Sequence, residues 1–165
     1  MSVRQDGDRL LGIYLNDQLA AGIAWREVAR RSARSNAGTA VGTAVGHVAQ
    51  QIAEDVETFE RIMERLGVPR SRVKTGLATV GERLGRLKLN GRLVGYSPLS
   101  RFAELDFLVA GIEGKKILWE NLRDLAGLRE RLPEVDFDEL VERAIAQRDE
   151  LEPHRAEAGR EALRA

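Results

Sequence analysis

The chain has 165 residues, 43% apolar and 32% charged, the balance of a globular protein able to bury about 70% of its unfolded surface in one domain. Its formal net charge is zero, which excludes a bulk attraction for nucleic acid or other polyanions. It has no cysteine, so disulfides and thiolate metal sites are excluded too.

No apolar run approaches the ~20 residues of a membrane span. The opening MSVRQDGDR lacks the apolar core of a signal peptide. A single cytoplasmic domain over 1–165 is the expectation. Alternating β-branched runs are absent, so the expected class is all-α. The first helix is expected from Asp8, a candidate N-cap, to Ser35. Leu11, Leu15, Leu19 and Ile23 share one side, widened by Tyr14, Trp25, Val28 and Ala29. Asn36-Ala-Gly38 ends it.

The second helix is expected over Thr39–Leu66. Gly38, Gly42 and Gly46 recur there every four residues among alanines. An interior glycine costs up to ~1 kcal/mol against alanine, so packing must explain them. The readings are close approach of another backbone, a dimer partner, or room for Trp25 or Trp119. Gly67 and Pro69 close this helix.

Residues 69–96 read as a crossover carrying its own helix, with Val73, Leu77, Val80, Leu84 and Leu87 at helical spacing and a break at Asn90-Gly91. It would link two long helices running in the same direction. Between Val68 and Arg101 eight basic residues face Glu82 alone. Arg70, Arg72, Arg83 and Arg86 are the candidate anion-binding residues, for nucleic acid or an acidic surface. The alternative is that they pair with the acidic remainder of the chain.

The third helix is expected from Pro98 to Ala126. Ser97 caps it, Pro98 takes the position where a missing N–H costs nothing, and Gly127 stops it. Phe102, Leu105, Leu108 or Val109, Ile112, Trp119 and Leu122 recur at helical spacing. Glu113-Gly-Lys-Lys116 reads as an exposed turn of this helix, since no strand precedes it to make a phosphate loop. After Pro133, Asp136-x-x-Glu139 is a capping-box pattern. It opens a fourth helix through Leu140, Val141, Ala144, Ile145 and Leu151. Pro153 should kink or end that helix, leaving 153–165 as a loosely held charged tail.

Three segments resemble a known family. LNDQLAAG (Leu15–Gly22) is similar to part of the first helix of bacterioferritins, FERIMERLGVP (Phe59–Pro69) to the end of the second, and LVAGIEGKKIL (Leu108–Leu118) to part of the third. The resemblance covers the long helices, the last one weakly, and not the basic crossover. It implies a ferritin-like four-helix bundle with a long crossover, carrying an extra helix, between the second and third bundle helices.

Ferritin-like oxidases hold two irons with a glutamate from each of two helices and Glu-x-x-His from each of the others. Carried onto this chain, the single glutamates fall on Gly22 and Gly111. One Glu-x-x-His falls on Gln51 and Glu54, and the other on Ile145 and Arg148. His47 lies about a turn too early, and His154 follows a proline. The resemblance therefore implies a divergent member with vestigial positions Gly22, Gln51, Glu54, Gly111 and Arg148, with no cofactor. Glu54 and Arg148 are expected to face each other across the interior.

Three functions follow. The first is a non-catalytic bundle acting through protein contacts, as a homodimer or with another protein; Ser97 and Ser100 are cap residues and no nucleophile arrangement stands out. The second is a metal-binding oxidoreductase with displaced ligands among Asp17, Gln51, Glu54, Asp55, Glu104, Asp106 and Glu113. The third is anion binding through the crossover.

Overall fold

A computed structural model describes residues 3–71 and 96–164. Helix α1 spans Val3–Ser35, α2 Ala40–Arg65 and α3 Pro98–Glu120. A π-helical turn at Asn121–Leu125 and the short α4, Leu128–Arg131, lead to α5, Phe137–Leu163. The protein is all-α; among the described residues there is no strand. No described helix is long and apolar enough to cross a membrane.

Local chemistry sets the boundaries. Thr39 caps α2 through its hydroxyl, which accepts from Gly42 N at 3.1 Å. Gly67 adopts φ 67°, where the chain turns back and Val68 N donates to Met63 O at 2.9 Å. Ser97 caps α3 by accepting from Ser100 N at 3.1 Å, with Pro98 in the first turn. Asp136 caps α5 by accepting from Glu139 N at 2.9 Å. The third helix does not run unbroken to Ala126. It widens at Asn121–Leu125, which buries Leu122 and turns Leu125 out to 82% exposure.

The four long helices pack as two antiparallel pairs, α1 with α2 across the turn at 36–39 and α3 with α5. Arg31 meets Glu104 at 2.6 Å near one end of α1, and Asn121 reaches Tyr14 at 3.4 Å near the other. So α3 runs antiparallel to α1. His47 meets Glu150 at 2.9 Å, while Arg65 meets Glu134 at 2.7 Å, so α5 runs antiparallel to α2. Helices α2 and α3 therefore share a direction, and the chain between them must travel the length of the molecule. The sequence placed a basic helix there; its central part, with Arg72, Arg83 and Arg86, lies outside the described residues.

Two apolar clusters form the core. One gathers Leu15, Leu19, Phe59, Ile62, Trp119, Leu122 and Phe137. The other gathers Val28, Val45, Val48, Ile52, Leu105, Leu108 and Leu151. Each long helix contributes an apolar stripe to both, which is where most helix stability in a packed protein arises.

Three expectations are corrected here. Helix α5 continues through Pro153 to Leu163, and its end is not loose. Leu151 and Ala158 are buried, Arg155 binds Asp106 at 2.9 Å, and Arg101 binds Glu161 at 3.1 Å. Packing against α3 outweighs the lost donor of one proline. The glycines of α2 do not make room for a tryptophan. Gly42 lies under its own α1–α2 turn, where an added Cβ would sit 2.0 Å from Asn36 O, while Gly46 has nothing within 4 Å. The first helix begins at Val3, ahead of Asp8.

The start of α3 is fixed by a polar network around Glu104, which is 2% exposed. Tyr96 Oη donates to Glu104 at 2.9 Å and accepts from Asn36 Nδ2 at 2.9 Å. Arg101 Nε donates to Asn36 Oδ1 at 3.0 Å. The Tyr96 phenol is pushed up from 10.0 to about 12, first by burial and then by the Glu104 carboxylate, against the Asn36 hydrogen bond. The folded state thus keeps a proton that the unfolded chain releases near pH 10. Stability that is full below pH 10 is lost as pH rises toward about 12. Denaturant midpoints measured across that window should fall for the native chain and flatten for Tyr96→Phe.

Candidate functional site

Where the two core clusters meet in α2 and α3, the interior holds charge. Asp55 of α2 is 3% exposed and Gln147 of α5 is fully buried. Lys115 of α3 places its ammonium against Asp55 Oδ2 and Gln147 Oε1. Gln147 Nε2 donates to Asp55 Oδ2 at 3.2 Å. From α5, Arg143 forms an ion pair with Asp55 Oδ1, and its Nε is buried without a partner. Arg143 also lies 3.9 Å from the exposed Glu54. Burial drives the Lys115 ammonium below the usual lysine range, opposed by the Asp55 carboxylate beside it.

The helices explain this convergence. Ile52, Asp55, Val56 and Phe59 share one face of α2, and Ile112, Lys115, Leu118 and Trp119 share one face of α3. Asp55 and Lys115 therefore sit on inward stripes that are otherwise apolar. Glu113-Gly-Lys-Lys116 is not simply an exposed turn: Glu113 and Lys116 pair at the surface, while the Lys115 side chain points inward at 15% exposure.

A cavity of about 320 Å³ opens beside this network. Its walls come from α1, α2 and α3 and are mostly apolar, with Asp55 and Lys115 among the lining residues. Gly22 and Gly111, two of the positions that the resemblance singled out, both line it. At Gly111 the Trp25 indole fills the space where a side chain would stand, 2.6 Å from an added Cβ. At Gly22 a Cβ would meet Val56 at an ordinary 3.5 Å.

The other positions carried over from the resemblance lie elsewhere. Gln51 reaches the His47 ring at 3.1 Å, and His47 binds Glu150. Glu54 is exposed and accepts from Gln50 at 3.3 Å. Arg148 is spent on Asp149 at 2.7 Å and stands 3.7 Å from Glu113. The expected Glu54–Arg148 pair does not form. In α2 the inward carboxylate is the next residue, Asp55, and its cations come from Lys115 and Arg143. The sequence signal for this was available, since Asp55 lies three residues after Ile52 and four before Phe59 on an apolar stripe, but the ligand pattern pointed one residue away.

The displaced carboxylates do not gather. Asp17 is exposed, Glu104 belongs to the Tyr96 network, Asp106 binds Arg155, and Glu113 binds Lys116. Among the described residues no three His, Asp or Glu side chains come together in a way that could hold a metal ion. A di-iron centre wants several carboxylates and imidazoles facing one point. At mid-height this interior offers one carboxylate, one amide and two cations, so the residues present do not fit it. Of the candidate anion-binding arginines, Arg70 is described, and it pairs with Glu60 at 3.1 Å.

The chain matches no protein-family model, no curated protein and no solved structure.

Proposed function

We propose that the chain is a divergent ferritin-like four-helix bundle that has given up a di-metal centre and acts without catalysis, through contacts with a protein partner, a second copy of itself first. The observation that carries this reading is the interior network. A bundle of this plan would hold its metal with inward carboxylates, and here the inward carboxylate Asp55 is already engaged by Lys115, Arg143 and Gln147. The shared direction of α2 and α3 across a long connection agrees with the ferritin-like plan.

The surface offers a place for such contacts. Leu10, Ile13 and Leu125 are 58%, 50% and 82% exposed. Asn121 against Tyr14, and Arg131 against Asp8 at 3.7 Å, put these three near the same end of the molecule. Large apolar side chains grouped at a surface mark contact sites.

Size-exclusion chromatography with light scattering should give twice the mass of one chain, and Ile13→Lys with Leu125→Lys should return it to one. A native chain that stays monomeric and co-purifies with no protein would refute the contact reading. Stoichiometric iron or manganese in protein grown with both metals would refute the loss of the centre.

A further inference from the structure

We propose that the cavity between α1, α2 and α3 binds a small amphiphilic monocarboxylate, an apolar chain or ring carrying one –COO⁻. This goes beyond the partner-contact reading and does not depend on it. At about 320 Å³ the cavity lies at the small end of ligand sites, roughly 300–1,000 Å³. Leu19, Val56, Phe59, Leu108, Ile112 and Leu118 supply apolar walls for the body of such a molecule.

The polar groups at the cavity decide the head. Lys115 and Trp119 stand one helical turn apart on the same face of α3, and both line the cavity. Lys115 has three N–H donors, and its partners among the described residues are Asp55 and Gln147. One donor remains. Trp119 is 1% exposed, and its Nε1 is buried with no partner. A buried donor without an acceptor is costly.

Gln18 also lines the cavity with an amide that can donate or accept, and the Asp55 carboxylate is shared between cations, its Oδ1 paired in charge with Arg143 but without a formed hydrogen bond. Lys115 and Gln147 use Asp55 Oδ2, and Arg143 stands against Oδ1. The buried carboxylate thus faces two cations, and the second carboxylate near Arg143, Glu54, is exposed and 3.9 Å away. The site offers donors and surplus positive charge. It calls for an anionic acceptor and repels an ammonium. So few free donors among apolar walls suit a monoanion better than a phosphate dianion, whose remaining charge would be desolvated unpaired.

Small residues provide the way in. Ala110 and Gly114 are exposed and line the cavity from α3, and Ala21 and Gly22 line it from α1. An added Cβ at Gly114 meets nothing within 4 Å.

The chain's two tryptophans, Trp25 and Trp119, both line the cavity, so their fluorescence reports its filling. Octanoate, octan-1-ol and octylamine are titrated separately at neutral pH. Octanoate should give a saturable change, octan-1-ol should bind about tenfold more weakly for want of a charge-assisted hydrogen bond, and octylamine should give none. Lys115→Met, checked as folded by circular dichroism, should weaken octanoate about tenfold and leave octan-1-ol within about twofold. Gly114→Phe leaves the charged network intact and should weaken both by obstructing the mouth. The proposal is overturned if octanoate gives no saturable change, if octylamine binds as well as octanoate, or if folded Lys115→Met and Gly114→Phe both bind octanoate like the native chain.

Discussion

Asp55→Leu lowers the stability of the fold by about 3–5 kcal/mol, because two cations lose the carboxylate they share and are left buried or half-buried without it. Lys115, with a 15% exposed side chain, carries most of that cost, whereas Arg143 is 25% exposed and keeps Glu54 at 3.9 Å. Lys115→Met is milder, about 1.5–3 kcal/mol, since Asp55 keeps Gln147 and Arg143. The double change Asp55→Leu with Lys115→Met should recover most of the loss. It replaces an ion pair by apolar groups of similar size, which is often neutral, and Arg143 can turn to Glu54. Urea midpoints with unchanged slopes measure all three. Arg148→Met serves as the control and should stay within about 0.5 kcal/mol, because its partners Asp149 and Glu113 are surface carboxylates. If the double variant were no more stable than Asp55→Leu alone, the three groups would not be acting as one network.

Two glycines four residues apart in α2 should respond with opposite signs. At Gly42 an alanine Cβ would stand 2.0 Å from Asn36 O. That oxygen is a backbone atom with no rotamer to escape into, and it accepts from Thr39 N at 3.2 Å and Thr39 Oγ1 at 2.7 Å. Asn36 is further held through its side chain to Tyr96 and Arg101. Gly42→Ala must therefore open the α1–α2 turn, at the upper end of the roughly 1–3 kcal/mol typical of overpacking. At Gly46 nothing lies within 4 Å of the new methyl, and the helix gains about 0.8–1 kcal/mol from the exchange. Thermal midpoints should fall for the first and rise for the second. A rise for both would show that the turn yields freely.

The helices were legible in the sequence because their signals are local. Thr39, Ser97 and Asp136 are cap residues whose hydroxyl or carboxylate meets an amide three residues on, and each does so. Gly38, Gly67 and Gly127 lie beyond helix ends and take positive φ. What misled were residues whose fate depends on a distant partner. Pro153 is tolerated because Phe102, Asp106 and Arg101 of α3 hold the following turns. Gly111 accommodates Trp25 of another helix. The interior charge was misplaced by one residue in α2, since Glu54 and Asp55 are adjacent acids and the apolar stripe alone separates the buried one from the exposed one. Lys115 was hidden for a related reason. A lysine flanked by Glu113, Gly114 and Lys116 looks solvated until Asp55 and Gln147 are brought opposite it.

The common heading of α2 and α3 governs how the molecule assembles. The α1–α2 pair closes over residues 36–39 and the α3–α5 pair over residues 121–136, whereas docking one pair on the other requires the two ends of residues 72–95 to be brought to opposite ends of the molecule. Loop-closure entropy rises with the length of such a link, if slowly, so hairpin formation precedes docking and the union of the hairpins limits the rate.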